Sequence, residues 1–175
     1  MDIQIVDQTA NDVLEVSRLL RDTWLDTYPN SEHKITREEI LQRYDEASPD
    51  FQERIEKRKT NVNKDPNVHS WVAKEGEKIV GFCTATKGKE NRINAIYVFP
   101  EQQGRGIGWK LMKNALDWIG EADEICVNVA SYNQKSIEFY EKVGFRKTSK
   151  EIVGDAGRFP SGAVIPEIEM VKTNG

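Results

Sequence analysis

The residues best suited to chemistry form a short glycine-rich segment in the second half of the chain. It reads Gln103, Gly104, Arg105, Gly106, Ile107 and Gly108, between a strand-like apolar run and a helix-like amphipathic run. Glycine lets the backbone approach a ligand closely, and the N–H groups at a helix start carry roughly half a positive charge. The segment therefore favours an anion such as a pyrophosphate, although a glycine-rich turn without a ligand has the same composition.

Two familiar phosphate-binding motifs do not fit this segment. A dinucleotide fingerprint, Gly-x-Gly-x-x-Gly, needs a third glycine where the sequence has Trp109 or Leu111, depending on the first glycine chosen. A P-loop needs Gly-Lys-Ser or Gly-Lys-Thr, and neither follows. Both motifs are therefore excluded.

A second candidate lies downstream, on a helix predicted over residues 133–143. Asn133, Ile137 and Tyr140 are four and three residues apart, so they share one helical face. A tyrosine there can meet a ligand held by the glycine segment. It can also be a core aromatic whose hydroxyl bonds a neighbour, and the spacing alone leaves both interpretations open.

Together, the two segments resemble the GNAT superfamily of N-acetyltransferases. Gln-x-x-Gly-x-Gly, preceded by the strand residues Ile96, Tyr97 and Val98, is similar to the coenzyme A loop of that family. Residues 133–145 are similar to its Asn-x-x-Ala-x-x-Phe-Tyr-x-x-x-Gly-Phe block, with Ser136 where alanine is usual. The two motifs cover the C-terminal half, whereas residues before about 70 resemble the family only loosely.

The resemblance implies an enzyme that uses acetyl-CoA as cosubstrate and a primary amine as acceptor. It implies that Tyr140 protonates the departing thiolate and that Asn133 contacts the coenzyme. It also implies that the central strand splays from its neighbour near Tyr97, so that main-chain groups there bind the pantetheine. The coenzyme-binding residues implied are Ile96, Tyr97, Val98, Gln103, Gly104, Arg105, Gly106, Ile107, Gly108, Trp109 and Asn133.

The acceptor amine must lose a proton before it attacks. For an alkylammonium ion of pKa about 10.4, this costs on the order of 4 to 5 kcal/mol at pH 7. Many relatives have a glutamate base on the central strand, but the matching residue here is Asn94, which cannot accept a proton. Residues 22–29 resemble the substrate-side helix of PaiA-type polyamine acetyltransferases, yet Trp24 and Tyr28 fit core packing equally well. The sequence therefore assigns no base.

Hydrophobic periodicity, caps and turn signals predict the elements that position these residues. Strands are predicted over residues 3–6, 70–74, 78–86, 91–98, 125–130 and 168–171. Helices are predicted after a cap at Asn11, over residues 36–46, from Ser48, and over residues 106–119 and 133–143. A glycine-rich link, residues 154–162, precedes the last strand.

This order of elements and the resemblance predict an α/β fold, the acyl-CoA N-acyltransferase fold. It has a mixed, largely antiparallel six- to seven-stranded sheet flanked by helices, in a single domain over residues 1–175. Strict alternation on the central strand puts Ile93, Ala95 and Tyr97 on one side of the sheet. Asn94, Ile96 and Val98 then lie on the other side.

Composition excludes several classes of protein. The 175 residues carry a net charge of -4, which disfavours nucleic acid, and no apolar run is long enough to cross a membrane. The N-terminus lacks a secretory pattern, so a cytoplasmic location is expected. Cys83 and Cys126 lie in apolar runs and are predicted to be buried hydrophobes. With only His33 and His69 besides, far apart in sequence, no metal site is predicted.

The preferred acceptor is a small polyamine or a similar small-molecule amine. A protein N-terminus or a lysine is the alternative acceptor, and a non-catalytic acyl-CoA sensor is the alternative from another functional class. A homodimer is compatible with the resemblance, because dimers are common in families of this kind.

Overall fold

A computed structural model describes residues 2–152 and 158–174. Seven strands form one sheet: β1 Ile3–Asp7, β2 Val68–Glu75, β3 Lys78–Thr86, β4 Arg92–Val98, β5 Glu124–Ala130, β6 Arg146–Ile152 and β7 Glu167–Thr173. The helices are α1 Val13–Thr27, α2 Arg37–Arg43, α3 Pro49–Asn61, α4 Ile107–Ile119 and α5 Gln134–Val143. The spatial order is β1-β2-β3-β4-β5-β7-β6, and only β4 and β5 pair in parallel. The predicted fold class is confirmed.

Local signals explain most helix starts. Thr36 caps α2 by accepting a hydrogen bond from the Glu39 backbone N–H at 3.2 Å. Pro49 opens α3, where its missing N–H costs nothing. The predicted cap at Asn11 is wrong. A 3-10 turn, Ala10–Asp12, comes first, and the Asp12 carboxylate accepts from the Thr9 backbone N–H at 2.8 Å.

Two apolar cores lie on opposite faces of the sheet. One core contains α4 and α5, and the buried residues of α4 recur at helical spacing: Ile107, Leu111, Met112, Ala115 and Ile119. The sheet comes close to α4 at Gly81, where an added Cβ would lie 3.0 Å from Leu111 Cδ1. The other core contains α1, α2 and α3.

The central strand β4 carries a bulge at Asn94. Thr84 pairs with Ala95 and Ala85 pairs with Ile93, so Asn94 is the extra residue. The prediction that Ile93, Ala95 and Tyr97 share a side is therefore wrong. Ile93 packs in the α4 and α5 core, whereas Ala95 and Tyr97 pack against the α1 side, because one inserted residue reverses the alternation.

Strand β6 has no counterpart among the strands predicted from the sequence. Its residues are mostly exposed and polar, so hydrophobic alternation does not reveal it. It lies at the edge of the sheet and pairs with β7 alone. Of the predicted glycine-rich link, residues 154–157 lie outside the described part, while Phe159 is buried in the α1-side core.

Candidate active site

The sheet opens between β4 and β5. These strands pair at Arg92 with Cys126 and at Ile93 with Val127, and they have no further pairs in the described structure. The separation starts at the Asn94 bulge, because a bulge bends its strand and increases the local twist. Beyond Ile93, the β5-facing main-chain groups of β4 are available to a ligand.

A cleft of about 540 Å³ runs from this opening to the start of α4; we call it the glycine-loop cleft. Its lining residues come from β4, the glycine segment, α4, α5 and the end of α1. They are Asp26, Thr27, Ile96, Val98, Gln102, Gln103, Gly104, Gly106, Ile107, Gly108, Trp109, Asn133, Lys135, Ser136, Glu138, Phe139, Tyr140 and Lys142.

The glycine segment needs glycine for its backbone angles. Gly104 has φ of 80° and Gly106 has φ of 79°, and an added Cβ at either would meet no atom within 4 Å. Gly106 is the N-cap of α4, so the N–H groups of the first helical turn have no carbonyl partner within the helix. These groups stand at the positive end of α4, a place that suits an anion.

The start of α5 closes the opposite wall of the cleft. Asn133 caps α5, and its Oδ1 accepts from the Ser136 backbone N–H at 3.2 Å. This bond leaves the amide nitrogen of Asn133 as a donor. At Gly108 an added Cβ would lie 3.4 Å from the Phe139 ring, so α4 and α5 approach closely there.

Tyr140 lies on α5 and is 6% exposed. Burial raises the pKa of its hydroxyl well above the ordinary value, so the group is protonated at neutral pH. Its ring packs edge-on to Phe139 and Phe145. A neutral phenol in this position can donate a proton.

Two further cavities continue from the cleft. The gap cavity, of about 240 Å³, occupies the opening between β4 and β5 and shares Ile96, Val98, Asn133 and Tyr140 with the glycine-loop cleft. The aromatic cavity, of about 570 Å³, lies on the α1 side of the sheet. It shares with the gap cavity the residues Tyr28, Asn94, Ala95, Tyr97 and Glu167. The gap cavity is thus bordered by both larger spaces.

A family model described as Acetyltransferase (GNAT) family matches residues 18–145. The chain belongs to the GNAT family. It is 33% identical over 94 residues to the peptidyl-lysine N-acetyltransferase YjaB of Escherichia coli, a match that covers 53% of this chain and 60% of that protein. The match therefore spans about 60% of the length of this curated relative.

Solved GNAT structures share the fold across the chain. The PaiA N-acetyltransferase of Thermoplasma acidophilum, solved in complex with coenzyme A, aligns with a TM-score of 0.69 at 20% identity, covering 99% of this chain and 100% of that one. A spermidine N-acetyltransferase SpeG chimera from Vibrio cholerae and hSSAT aligns with a TM-score of 0.67 at 19% identity, covering 99% and 96%. At these identities, the likeness supports the fold alone.

Most GNAT site residues predicted from the sequence line the glycine-loop cleft, and two lie elsewhere. Tyr97 lines the gap and aromatic cavities. Arg105 is not among the described lining residues, because its guanidinium pairs with Glu75 at 2.7 Å. The Gln103 amide donates to the Val98 carbonyl at 3.1 Å and thereby fixes the loop to β4. The coenzyme contacts themselves stay predictions.

Sequence reasoning missed the cations of the cleft and a carboxylate beyond it. Lys135 and Lys142 on α5 line the cleft, and Lys135 Nζ donates to the Gln103 side chain. Lysines close to a predicted phosphate-binding loop are a sequence signal from which these two cations could have been predicted. Glu167 lines both other cavities, and only the pairing of β7 with β5 brings it there.

The aromatic cavity has a mixed wall. Its aromatic side chains are Trp24, Tyr28, Tyr44, Phe82 and Tyr97. The hydroxyls of Tyr28 and Tyr97 lie 3.1 Å apart, and the Arg43 guanidinium lies over the Trp24 ring, 5.0 Å from its centroid. Its charged lining residues are Arg43, Arg58, Asp65 and Glu167.

Neither aspartate of α1 lines the aromatic cavity among the described residues. Asp22 pairs with Arg21 at 2.8 Å, and Asp26 lines the glycine-loop cleft.

Cys83 and Cys126 are free and buried, as predicted, and burial raises the pKa of Cys83 to about 12. Within the described ranges, no helix is long and apolar enough to cross a membrane, and no cluster of His, Cys, Asp and Glu suits a metal ion.

Proposed function

We propose that this chain is an acetyl-CoA-dependent N-acetyltransferase that acylates an unhindered alkyl primary amine. The observation that carries the proposal is the series of cavities: an anion-binding cleft, a gap beside Tyr140 and an aromatic cavity. A thioester and an amine that enter from opposite ends meet in the gap. Family membership independently supports acetyl transfer.

The described residues fit acetyl-CoA. The free N–H groups at the start of α4 and the lysines Lys135 and Lys142 suit its phosphates. Open main-chain groups of β4 suit the pantetheine amides, as strand pairing does. Tyr140 borders the gap, where a leaving thiolate needs a proton. We therefore assign the cleft to the cosubstrate and Tyr140 to thiolate protonation.

The aromatic cavity supports an acceptor with an apolar, flexible alkyl arm. The relative named a peptidyl-lysine N-acetyltransferase and the structural neighbour named a spermidine N-acetyltransferase both point to an amine at the end of an alkyl chain. Arg43 and Arg58 balance Asp65 and Glu167, so charge alone does not favour a polycation. Spermidine and a lysine side chain are therefore the two acceptors to compare.

An acceptor panel with thiol detection tests the proposal. The purified chain, acetyl-CoA and each amine are mixed, and released coenzyme A is measured; the panel contains spermidine, a lysine-containing peptide and a peptide with only a free N-terminus. Thiol release with at least one amine, together with the acetylated product by mass spectrometry, supports the proposal. Tight coenzyme binding without release for any amine would identify a sensor instead.

A further inference from the structure

We propose that Glu167 is the general base that takes the proton from the acceptor ammonium ion. This inference rests on the proposed function and adds the catalytic group that the sequence could not assign. It starts from the position of Glu167 at the boundary between the gap cavity and the aromatic cavity.

The register of β7 explains how a residue distant in sequence reaches this boundary. Glu167 pairs with Ala130 at the end of β5, where β4 has already separated from β5. Glu167 therefore lies where β4 and β5 are no longer paired, and it lines both the gap cavity and the aromatic cavity. An amine at the boundary of these two cavities would lie near this carboxylate.

The other residues shared by the two cavities do not fit the role. Asn94 is an amide and Ala95 has no polar side chain. Burial raises the pKa of Tyr28 and of Tyr97, so both phenols stay protonated at neutral pH. Among the described residues that the two cavities share, Glu167 is the only carboxylate.

The surroundings of Glu167 tune it as a proton acceptor. Desolvation raises the pKa of Glu167, while the Asn128 amide and the Arg92 guanidinium act in the opposite direction. Arg92 is held by Asn128 at 2.8 Å and by Glu90 at 2.7 Å, which fixes its charge near the gap. A raised pKa makes a carboxylate a stronger base towards an ammonium ion.

Other ionisable groups face the same spaces from the packed elements. They are Tyr28 after α1, Arg43 on α2, Tyr44 after α2, Arg58 on α3, Asp65 between α3 and β2, Arg92 and Tyr97 on β4, and Tyr140 on α5. Asp65 is exposed and borders only the aromatic cavity. Arginine and the buried tyrosines do not change protonation near neutral pH.

Glu167 and Tyr140 together account for every proton of the transfer. Glu167 takes one proton from the ammonium ion, and the free amine forms a carbon–nitrogen bond at the thioester carbonyl. The carbon–sulfur bond breaks as Tyr140 gives its proton to sulfur, and the second nitrogen-bound proton replaces the one Tyr140 has lost. The products are the amide, the free thiol and one proton, which Glu167 releases to solvent.

The test compares Glu167→Gln with Glu169→Gln in the chain as it exists. Glu169 is on the same strand and lies 3.9 Å from Arg92, but it lines none of the three cavities among the described residues. With the best acceptor at pH 7, we expect Glu167→Gln to lower kcat/KM by about a hundredfold or more. We expect Glu169→Gln to stay within a few-fold of the wild type and both variants to keep coenzyme affinity.

The pH profile separates a base from a structural residue. The deficit of Glu167→Gln should shrink towards pH 9.5, because the amine there is increasingly deprotonated in solution. Glu167→Asp keeps a carboxylate and should retain more activity than Glu167→Gln. This second variant keeps the inference testable if Glu167→Gln folds poorly. Full activity of Glu167→Gln at pH 7, or a deficit independent of pH, would overturn the inference. A wild-type chain inactive on every amine would refute the proposed function instead.

Discussion

Replacing Gly106 by glutamate tests the anion site most directly. Gly106 has φ of 79°, a left-handed backbone angle that costs an L-residue about 1–2 kcal/mol. The added side chain has open space, since no atom lies within 4 Å of its Cβ position. The change should therefore lower the free energy of unfolding by about that amount without causing a clash.

The effect on coenzyme binding should come from charge rather than from backbone strain. The glutamate carboxylate would stand at the N-cap of α4, beside the N–H groups that we assign to the pyrophosphate. Two like charges 4 Å apart repel by about 1 kcal/mol in water and about 4 kcal/mol near a protein surface. Coenzyme A affinity should thus fall by a factor of about 5 to 1,000.

Two control variants isolate this charge effect. Gly106→Gln has similar bulk and the same backbone strain but no charge. Gly120→Glu places a carboxylate at the other end of α4 in equally open surroundings, at a backbone with φ of 76° and ψ of -154° that strains an L-residue more than the backbone at Gly106. Affinity for coenzyme A is measured by titration calorimetry, and unfolding is measured by thermal denaturation. If Gly106→Glu and Gly106→Gln bind coenzyme A equally well, the pyrophosphate does not lie at this helix start.

Three further predictions follow from other parts of the site and fold. Tyr140→Phe should lower kcat by about a hundredfold where the chemical step limits turnover, and an unchanged kcat in the variant would exclude the acid role. Because burial raises the pKa of Tyr140, ionisation of this residue should not lower wild-type kcat at any pH below about 10. Lys135→Ala should raise the KM for acetyl-CoA a few-fold, and the increase should be smaller at high salt. Lys113 pairs with Asp117 at 2.6 Å, and Lys113→Ala should leave this KM unchanged; equal increases in both variants would exclude the coenzyme role of Lys135. Thr36→Ala should lower the free energy of unfolding by about 1 kcal/mol in a denaturant titration, and a change near zero would show that the bond to the Glu39 N–H adds little.

The sequence predicts the parts of the site that depend on local chemistry. Glycines with left-handed φ and a following amphipathic helix can be recognised without knowing their neighbours, and so can the capping Asn133. These features predict the anion site and one wall of the cleft. They can be predicted from the sequence because backbone angles and helix caps depend on a few consecutive residues.

The parts that were not predicted depend on strand register. Nothing in the alternation of β4 reveals that Asn94 is an extra residue, because that follows from how β3 pairs with it. Strand β6 has few apolar residues, and its place at the edge of the sheet depends on its antiparallel pairing with β7. Glu167 gains its position from the pairing of β5 with β7, which joins residues far apart in sequence.

The Asn94 bulge has a thermodynamic consequence for substrate binding. Past this residue, Ile96 and Val98 face the cleft assigned to acetyl-CoA, while Ala95 and Tyr97 face the cavity assigned to the amine. A single backbone segment is thus the shared wall of two binding sites. Any displacement of that segment by the first substrate is transmitted to the second, so the two dissociation constants should be thermodynamically coupled, each substrate changing the affinity for the other by the same factor.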